Sequence, residues 1–320
     1  MPRRFGLPSV YLAAAVVTAA ATAVTTAVPL AVPPASGLAA RPSVTEPTRP
    51  YIVVARDRAA ARALVGEVRW RVRRYYTAAL PGFATWLSAA EEAELRADPR
   101  VRGLEPDREI HPLTGRGPAT SGSGGGRGVT VYVVDSGLDL GRGEFGERAW
   151  RAFDATGGTG QDCTGHGTRV ARSIAGRAYG VAPQARLASV RVLGCAGSGT
   201  LSDVLAGLDW VRRHARGPAV TTLSFDGADS PALATAMRAL ARPGSFVTMA
   251  AGGACQAVRG GPAYSAAAPA LAGAAARYLE LYPDARPSVV TSSLNCTTAE
   301  GGIRQNPSRT SSLHPLAGGR

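Results

Sequence analysis

One of the four histidines in this chain stands in a setting suited to catalysis. His166 lies between Gly165 and Gly167 in the run DCTGHGTRVARSIAG, from Asp162 to Gly176. Glycines on either side let the backbone bend and let a partner come close to the ring. Val170 and Ile174 at helical spacing, with Gly176 behind them, predict a helix that starts at the histidine and buries one face. His111 and His314 lie in proline-flanked loops, and His214 closes an arginine-crowded helix end, VRRHAR. Those three settings read as solvated. An imidazole acting as a general base needs a carboxylate to orient it and a nucleophile to activate; without them His166 would be a surface helix cap. Asp135 is the carboxylate candidate, because it follows the β-branched run VTVYVV from Val129 to Val134. That run reads as a buried strand, so the acid falls at the carboxyl edge of a sheet, where open α/β sheets collect their chemistry. Ser265 is the nucleophile candidate. It opens the apolar run SAAAPALAGAAARYLELYP, a predicted helix whose free N–H groups and positive dipole end would face a developing oxyanion.

The elements that must position these residues alternate along the chain. Strand Arg186 to Leu193 precedes helix Asp203 to Ala215; strand Ala219 to Phe225 precedes helix Pro231 to Ala241; strand Phe246 to Ala251 precedes the helix from Ser265. Alternation of this kind implies a parallel sheet covered on both faces. Upstream, residues 50–112 form a smaller α+β, ferredoxin-like unit of βαββαβ pattern. Its strands are Tyr51 to Ala55, a stretch in which Val68, Trp70 and Val72 alternate with arginines, Gly82 to Leu87, and Val101 to Glu105. Ser88 and Glu91 form a capping box for a helix running to Ala97. Residues 113–128, glycine- and serine-rich, are a linker.

Composition removes several classes. All 36 basic residues are arginine, against 23 acids, for a formal net charge of +13. They are scattered rather than gathered in a stripe, and aromatics are only 6%, so nucleic acid is not expected as a partner. Residues 1–40 have two early arginines, an uncharged stretch and small residues near the end, the layout of a secretory signal peptide; a membrane contact is expected only if this leader stays uncleaved. Four cysteines behind such a leader read as disulfides. Cys163 and His166 have a zinc-like spacing, but no second ligand pair follows, so no metal site is expected.

With Asp135, His166 and Ser265 in that order, the chain resembles a subtilase, a subtilisin-type serine peptidase of the proteinase K-like branch. DSG at Asp135, GHGT at Gly165 to Thr168, YGVAP at Tyr179 to Pro183, VRVLGCAGSGT at Val190 to Thr200 and SAAAPALAG at Ser265 to Gly273 carry the resemblance. It implies a secreted serine endopeptidase acting on proteins or peptides, with a subtilisin-like catalytic domain at 129–296, a tail at 297–320 and no cofactor. Structural calcium is not legible in these residues. YIVVAR, ALPGFATWLS and LRADPRVRGLEPD are similar to the family's propeptide, which implies that residues 50–112 are an intramolecular inhibitor and the linker the place of its removal. The resemblance further implies a Cys163–Cys195 disulfide. It also implies that Gly197, Ser198 and Gly199 on one edge, with Ser224, Phe225, Asp226 and Gly227 on the other, flank an extended substrate; without the family, both stretches are ordinary turn signals. Three departures stand out. Gly253 replaces the asparagine that donates to the oxyanion, leaving the backbone N–H of Ser265 as a donor. Ala263 and Tyr264 replace Gly-Thr, and only eleven residues separate Gly253 from Ser265, where the family inserts several dozen. The catalytic domain is therefore expected to be incomplete, and a catalytically impaired subtilase-like protein or peptide-binding relic is the alternative.

Overall fold

The computed structural model describes residues 47–68, 71–113, 124–141, 143–227, 229–250, 256–257, 263–264 and 267–294. The leader at 1–40, most of the linker, the tail from 297, and Gly253, Ser265, Cys255 and Cys296 lie outside them.

The first described part follows the order drawn from sequence: β1 (Arg49–Ala55), α1 (Arg58–Val68), β2 (Val72–Tyr76), β3 (Gly82–Leu87), α2 (Ala89–Ala97) and β4 (Val101–Pro106). Its four strands form a sheet in the order β2-β3-β1-β4. The capping box is present: Ser88 Oγ accepts from the Glu91 N–H while the Glu91 carboxylate accepts from the Ser88 N–H. One boundary differs. The alternation at Val68, Trp70 and Val72 predicts a strand, yet Val68 is the last residue of α1 and is buried beside Ala61 and Leu64. Both periods fit these few residues; the helical one prevails because Ala61, Leu64 and Val68 share a stripe that covers the sheet, and the strand starts only at Val72.

β1 is buried along both faces, which a four-stranded sheet cannot achieve with its own two helices. Tyr51, Val53 and Ala55 join Leu64, Phe83 and Leu95 in a core of their own. Ile52 and Val54, on the opposite face, belong to the core of the larger part, with Leu208, Leu233 and Met237. The period of two thus divides one strand between two cores.

The larger part contains β6 (Thr130–Asp135), β7 (Ala149–Asp154), α3 (His166–Ala175), β8 (Arg186–Arg191), α4 (Leu201–His214), β10 (Ala219–Leu223), α5 (Pro231–Leu240), β11 (Ser245–Met249), β12 (Gln256–Ala257), β13 (Ala263–Tyr264), α6 (Ala268–Leu281) and α7 (Pro287–Ser293). Among the described residues its sheet runs β12-β13-β11-β10-β6-β8-β7, and only β12 is antiparallel to its neighbour. This is the parallel α/β architecture expected. Val131, Val133, Leu187, Val220 and Phe246 face α3 and α6; Val134, Val190, Leu223 and Met249 face α4 and α5. The edge strand β7 was not legible beforehand. AWRAFD mixes arginine with apolar residues, and an edge position against β8 alone asks for no continuous apolar run. Helix α6 begins at Ala268 rather than Ser265, with Pro269 in its first turn.

Candidate active site

The carboxyl edge of the central strands brings Asp135 and His166 together. Asp135 ends β6 and is fully buried. Its Oδ1 accepts from the Ser136 N–H at 2.7 Å and lies 2.8 Å from His166 Nδ1. His166 is the first residue of α3 and is itself buried. Two glycines make this approach possible. Gly165 caps the helix at φ 77°, a left-handed conformation. Gly167 lies so close to the Asp135 loop that a Cβ there would meet the Gly137 carbonyl oxygen at 2.3 Å and Asp135 Cβ at 3.2 Å.

Asp162 ties the loop and helix together, and the sequence reading passed over it. Its Oδ1 accepts from Ser136 Oγ (2.9 Å), Thr164 N (3.1 Å) and Gly165 N (2.9 Å). Its Oδ2 accepts from Thr168 N (2.9 Å) and Thr168 Oγ1 (2.5 Å). Ser136 Oγ in turn accepts from the Gly167 N–H at 3.0 Å. Burial raises the Asp162 pKa, but the bonds from Thr168, Ser136 and Gly165 outweigh it and hold the carboxyl below its usual range. The residue thus serves as the anionic cap that Gly165 cannot provide. An acid four residues before a helix-opening histidine was the available signal.

Cys163 and Cys195 are joined, with Cα atoms 5.3 Å apart. The bond ties the loop before α3 to the loop after β8. Arg191, buried beneath it, directs Nη2 at both sulfurs (3.4 and 3.2 Å) and Nη1 toward Asp154 Oδ2 at 3.5 Å. Among the described residues no group of three or more His, Cys, Asp or Glu side chains is placed to hold a metal ion.

The chain's own residues 109–113 lie extended between the two edges named from sequence. Glu109 and Ile110 form β5 and pair antiparallel with Thr200 and Gly199 of β9 (Gly199–Thr200). Gly197 and Ser198 shape the preceding turn, where the Gly194 N–H donates to the Ser198 carbonyl and the Gly197 N–H to that of Gly194. On the other side the Leu113 N–H donates to the Ser224 carbonyl, Pro112 bridges Phe225, and the Asp226 N–H donates to the His111 carbonyl. Gly227 leaves space filled by Ile110: a Cβ there would meet Ile110 Cδ1 at 3.2 Å. The segment ends with the Leu113 carbonyl oxygen 3.2 Å from His166 Nε2.

That last contact favours the doubly protonated ring. Asp135 Oδ1 and the Leu113 oxygen both only accept, so both bonds exist together when His166 carries two N–H groups. Burial lowers the pKa of His166, the hydrogen bond and charge of Asp135 and the Leu113 carbonyl raise it, and the net direction is upward from the ordinary imidazole value. A cationic ring oriented by a buried acid, with a peptide carbonyl against its outer nitrogen, is what a general base becomes after taking a proton from a nucleophile. Ser265 lies outside the described residues. On one side of it, β13 ends at Tyr264 beside the last residue of β11; on the other, α6 starts at Ala268.

Residues 126–263 match the subtilase family. An extracellular serine proteinase of Thermus sp. (strain Rt41A) is 43% identical over 201 residues, covering 57% of this chain and 49% of that protein. Alkaline serine exoprotease A of Vibrio alginolyticus is 35% identical over 207 residues, covering 57% of this chain and 39% of that protein. The chain therefore matches half or less of the length of these relatives. The crystal structure of fervidolysin from Fervidobacterium pennivorans, a keratinolytic enzyme related to subtilisin, superposes with a TM-score of 0.53 at 16% identity, covering 76% of this chain and 56% of that one, a likeness of fold.

Proposed function

Residues 126–263 match the subtilase family, and from that premise we propose that the chain is a secreted serine endopeptidase made as a self-inhibited precursor. Asp135, His166 and Ser265 form its triad, and residues 50–112 are its propeptide. The observation that carries this reading is the Leu113 carbonyl at His166 Nε2, held there by an extended segment bonded on both sides. Such a segment resembles a bound peptide substrate, with the Leu113–Thr114 bond as the one to be cut.

In this mechanism Ser265 Oγ attacks the carbonyl carbon of the bound residue while His166 Nε2 takes the hydroxyl proton. Asp135 holds the ring with Nδ1–H inward and stabilises its positive charge. The backbone N–H of Ser265 donates to the oxyanion; Gly253, where the family has asparagine, offers no side-chain donor, which costs about 10²–10³ in rate. His166 then passes its proton to the departing amine, the C–N bond breaks, and an acyl ester on Ser265 remains. Water, deprotonated by His166, attacks the ester, and the serine leaves with the returned proton. Export is the localisation that accompanies this reading, supported by the name of the Thermus relative and by the leader-like start of the sequence.

A fluorophosphonate probe tests the proposal. Ser265 is expected to be labelled in the folded chain, and Ser265→Ala to abolish labelling, ester hydrolysis and any cut in the linker together. Linker cleavage that persists in Ser265→Ala would mean another protease processes the chain. A folded wild type without labelling would make the protein a non-catalytic relative.

A further inference from the structure

The pairing between residues 109–113 and the Ser224–Gly227 edge is regular except at one point. The Asp226 N–H donates to the His111 carbonyl at 2.9 Å, as a strand partner would. The return bond does not go to backbone: the His111 N–H donates to Asp226 Oδ1 at 2.8 Å. A carboxylate thus reads the amide of the third residue before the Leu113 carbonyl. Three residues after Asp226, Asp229 extends the same acidic line outward. Its two carboxylate oxygens accept from Arg108 Nη1 at 2.8 Å and Nη2 at 2.6 Å, and Asp226 also acts on the Arg108 charge. The cation that neutralises this rim comes from the segment itself and would leave with it. Glu109, 4.0 Å from the His111 ring, would leave as well.

We propose that Asp226 and Asp229 make this side of the groove select cationic peptides. Asp226 favours a basic residue, with a free N–H, third before the cut; Asp229 favours arginine at the sixth. The inference rests on the peptidase reading for its account of substrates, while the contacts themselves do not. An N–H bonded to a carboxylate is charge-assisted, so proline or an N-methyl residue at the third position loses about tenfold or more in affinity. A positive rather than negative side chain about 6 Å from Asp226, at the protein surface, gains about tenfold.

Two measurements test this. The first compares kcat/KM on peptides that differ only by Arg, Gln or Glu at the third position before the cut. Wild type is expected to favour Arg over Glu by about tenfold, Asp226→Asn to remove that preference, and Asp226→Lys to reverse it. An Arg-to-Glu ratio unchanged in Asp226→Asn overturns the proposal. The second measurement needs no catalysis and uses the full chain carrying Ser265→Ala. Hydrogen exchange over residues 109–113 is expected to be about tenfold faster with His111→Glu than with His111→Arg, and Asp226→Lys is expected to cancel the difference. Exchange in β6 and β10 reports whether each variant is folded. Equal protection of 109–113 in all four folded combinations overturns the proposal. Should the wild type cut no peptide at all, the peptidase reading fails and the exchange result alone decides the role of these acids.

Discussion

At His166 two opposing effects meet, and the outcome sets a pH dependence. Burial disfavours the charged ring; Asp135, by hydrogen bond and by charge, favours it and prevails with help from the Leu113 carbonyl. A pKa raised above 6.5 means that the neutral, proton-accepting ring appears only as pH rises through the folded value. The stability this pairing contributes runs the other way: it is fully present below the unfolded value and is lost as pH rises through the folded one. The acid limb of kcat/KM is therefore expected above 6.5 in wild type. In Asp135→Asn it should move to lower pH, since the hydrogen bond and charge that opposed burial are gone, with a loss of about 10⁴ in kcat. A pH–rate profile of both proteins checks this; an unmoved limb would show that Asp135 does not tune the ring. The neighbouring glycine gives a sharper steric test. Gly167→Ala would place a methyl 2.3 Å from the Gly137 oxygen, so α3 must retreat from Asp135. Urea unfolding should show a loss of about 2–3 kcal/mol, and probe labelling at Ser265 should fall with it. Full labelling in a folded Gly167→Ala variant would contradict the idea that the approach of Gly167 sets the Asp135–His166 distance.

At the level of elements, the start of α3 is held by one local group and one distant one. Asp162 caps its start, and the Cys163–Cys195 bond joins the preceding loop to the end of β8 across 32 residues. In the loop-entropy account that closure stabilises by about 3–4 kcal/mol. Replacing both cysteines by serine should lower the unfolding free energy by about that amount. Arg191 is expected to stay beside Asp154, because its ion pair and its bond to the Leu193 carbonyl do not need the sulfurs. Denaturant titration of the double variant gives the number, and a cost below about 1 kcal/mol would mean that Asp162 alone holds this loop. The groove strands are a different kind of element. β5 and β9 are two residues each, too short to persist without each other and the Ser224–Asp226 edge.

Across the whole molecule, the four-stranded sheet buries one face against the larger part. Ile52 and Val54 are buried in the core formed by α4 and α5, while Asp209 Oδ1 accepts the N–H groups of Thr77, Ala78 and Ala79. Ile52→Asp would leave the sheet's own core of Val53, Leu64 and Phe83 intact but drive an unpaired charge into the shared one. Hydrogen exchange should then rise in β1 and in residues 109–113 together, and persisting protection of 109–113 would show that the segment binds the groove independently of the sheet. How much of this could be read beforehand follows from the range of the forces involved. The buried run before Asp135, the glycines around His166, the capping box at Ser88 and the strand–helix alternation were legible in the sequence, because each is set by neighbours within a turn or a strand. Resemblance to subtilases added the Cys163–Cys195 pair and singled out the two edges that residues 109–113 lie between, which composition and spacing alone left open. The strand at 149–154, the end of α1 at Val68, the Asp162 cap and the Asp226 carboxylate on His111 were decided only by tertiary structure. In each of these a local pattern was ambiguous or silent, and the choice was made by a partner brought close in space: β8 for the edge strand, the small sheet for Val68, Ser136 and Thr168 for Asp162, and a backbone amide 115 residues away for Asp226.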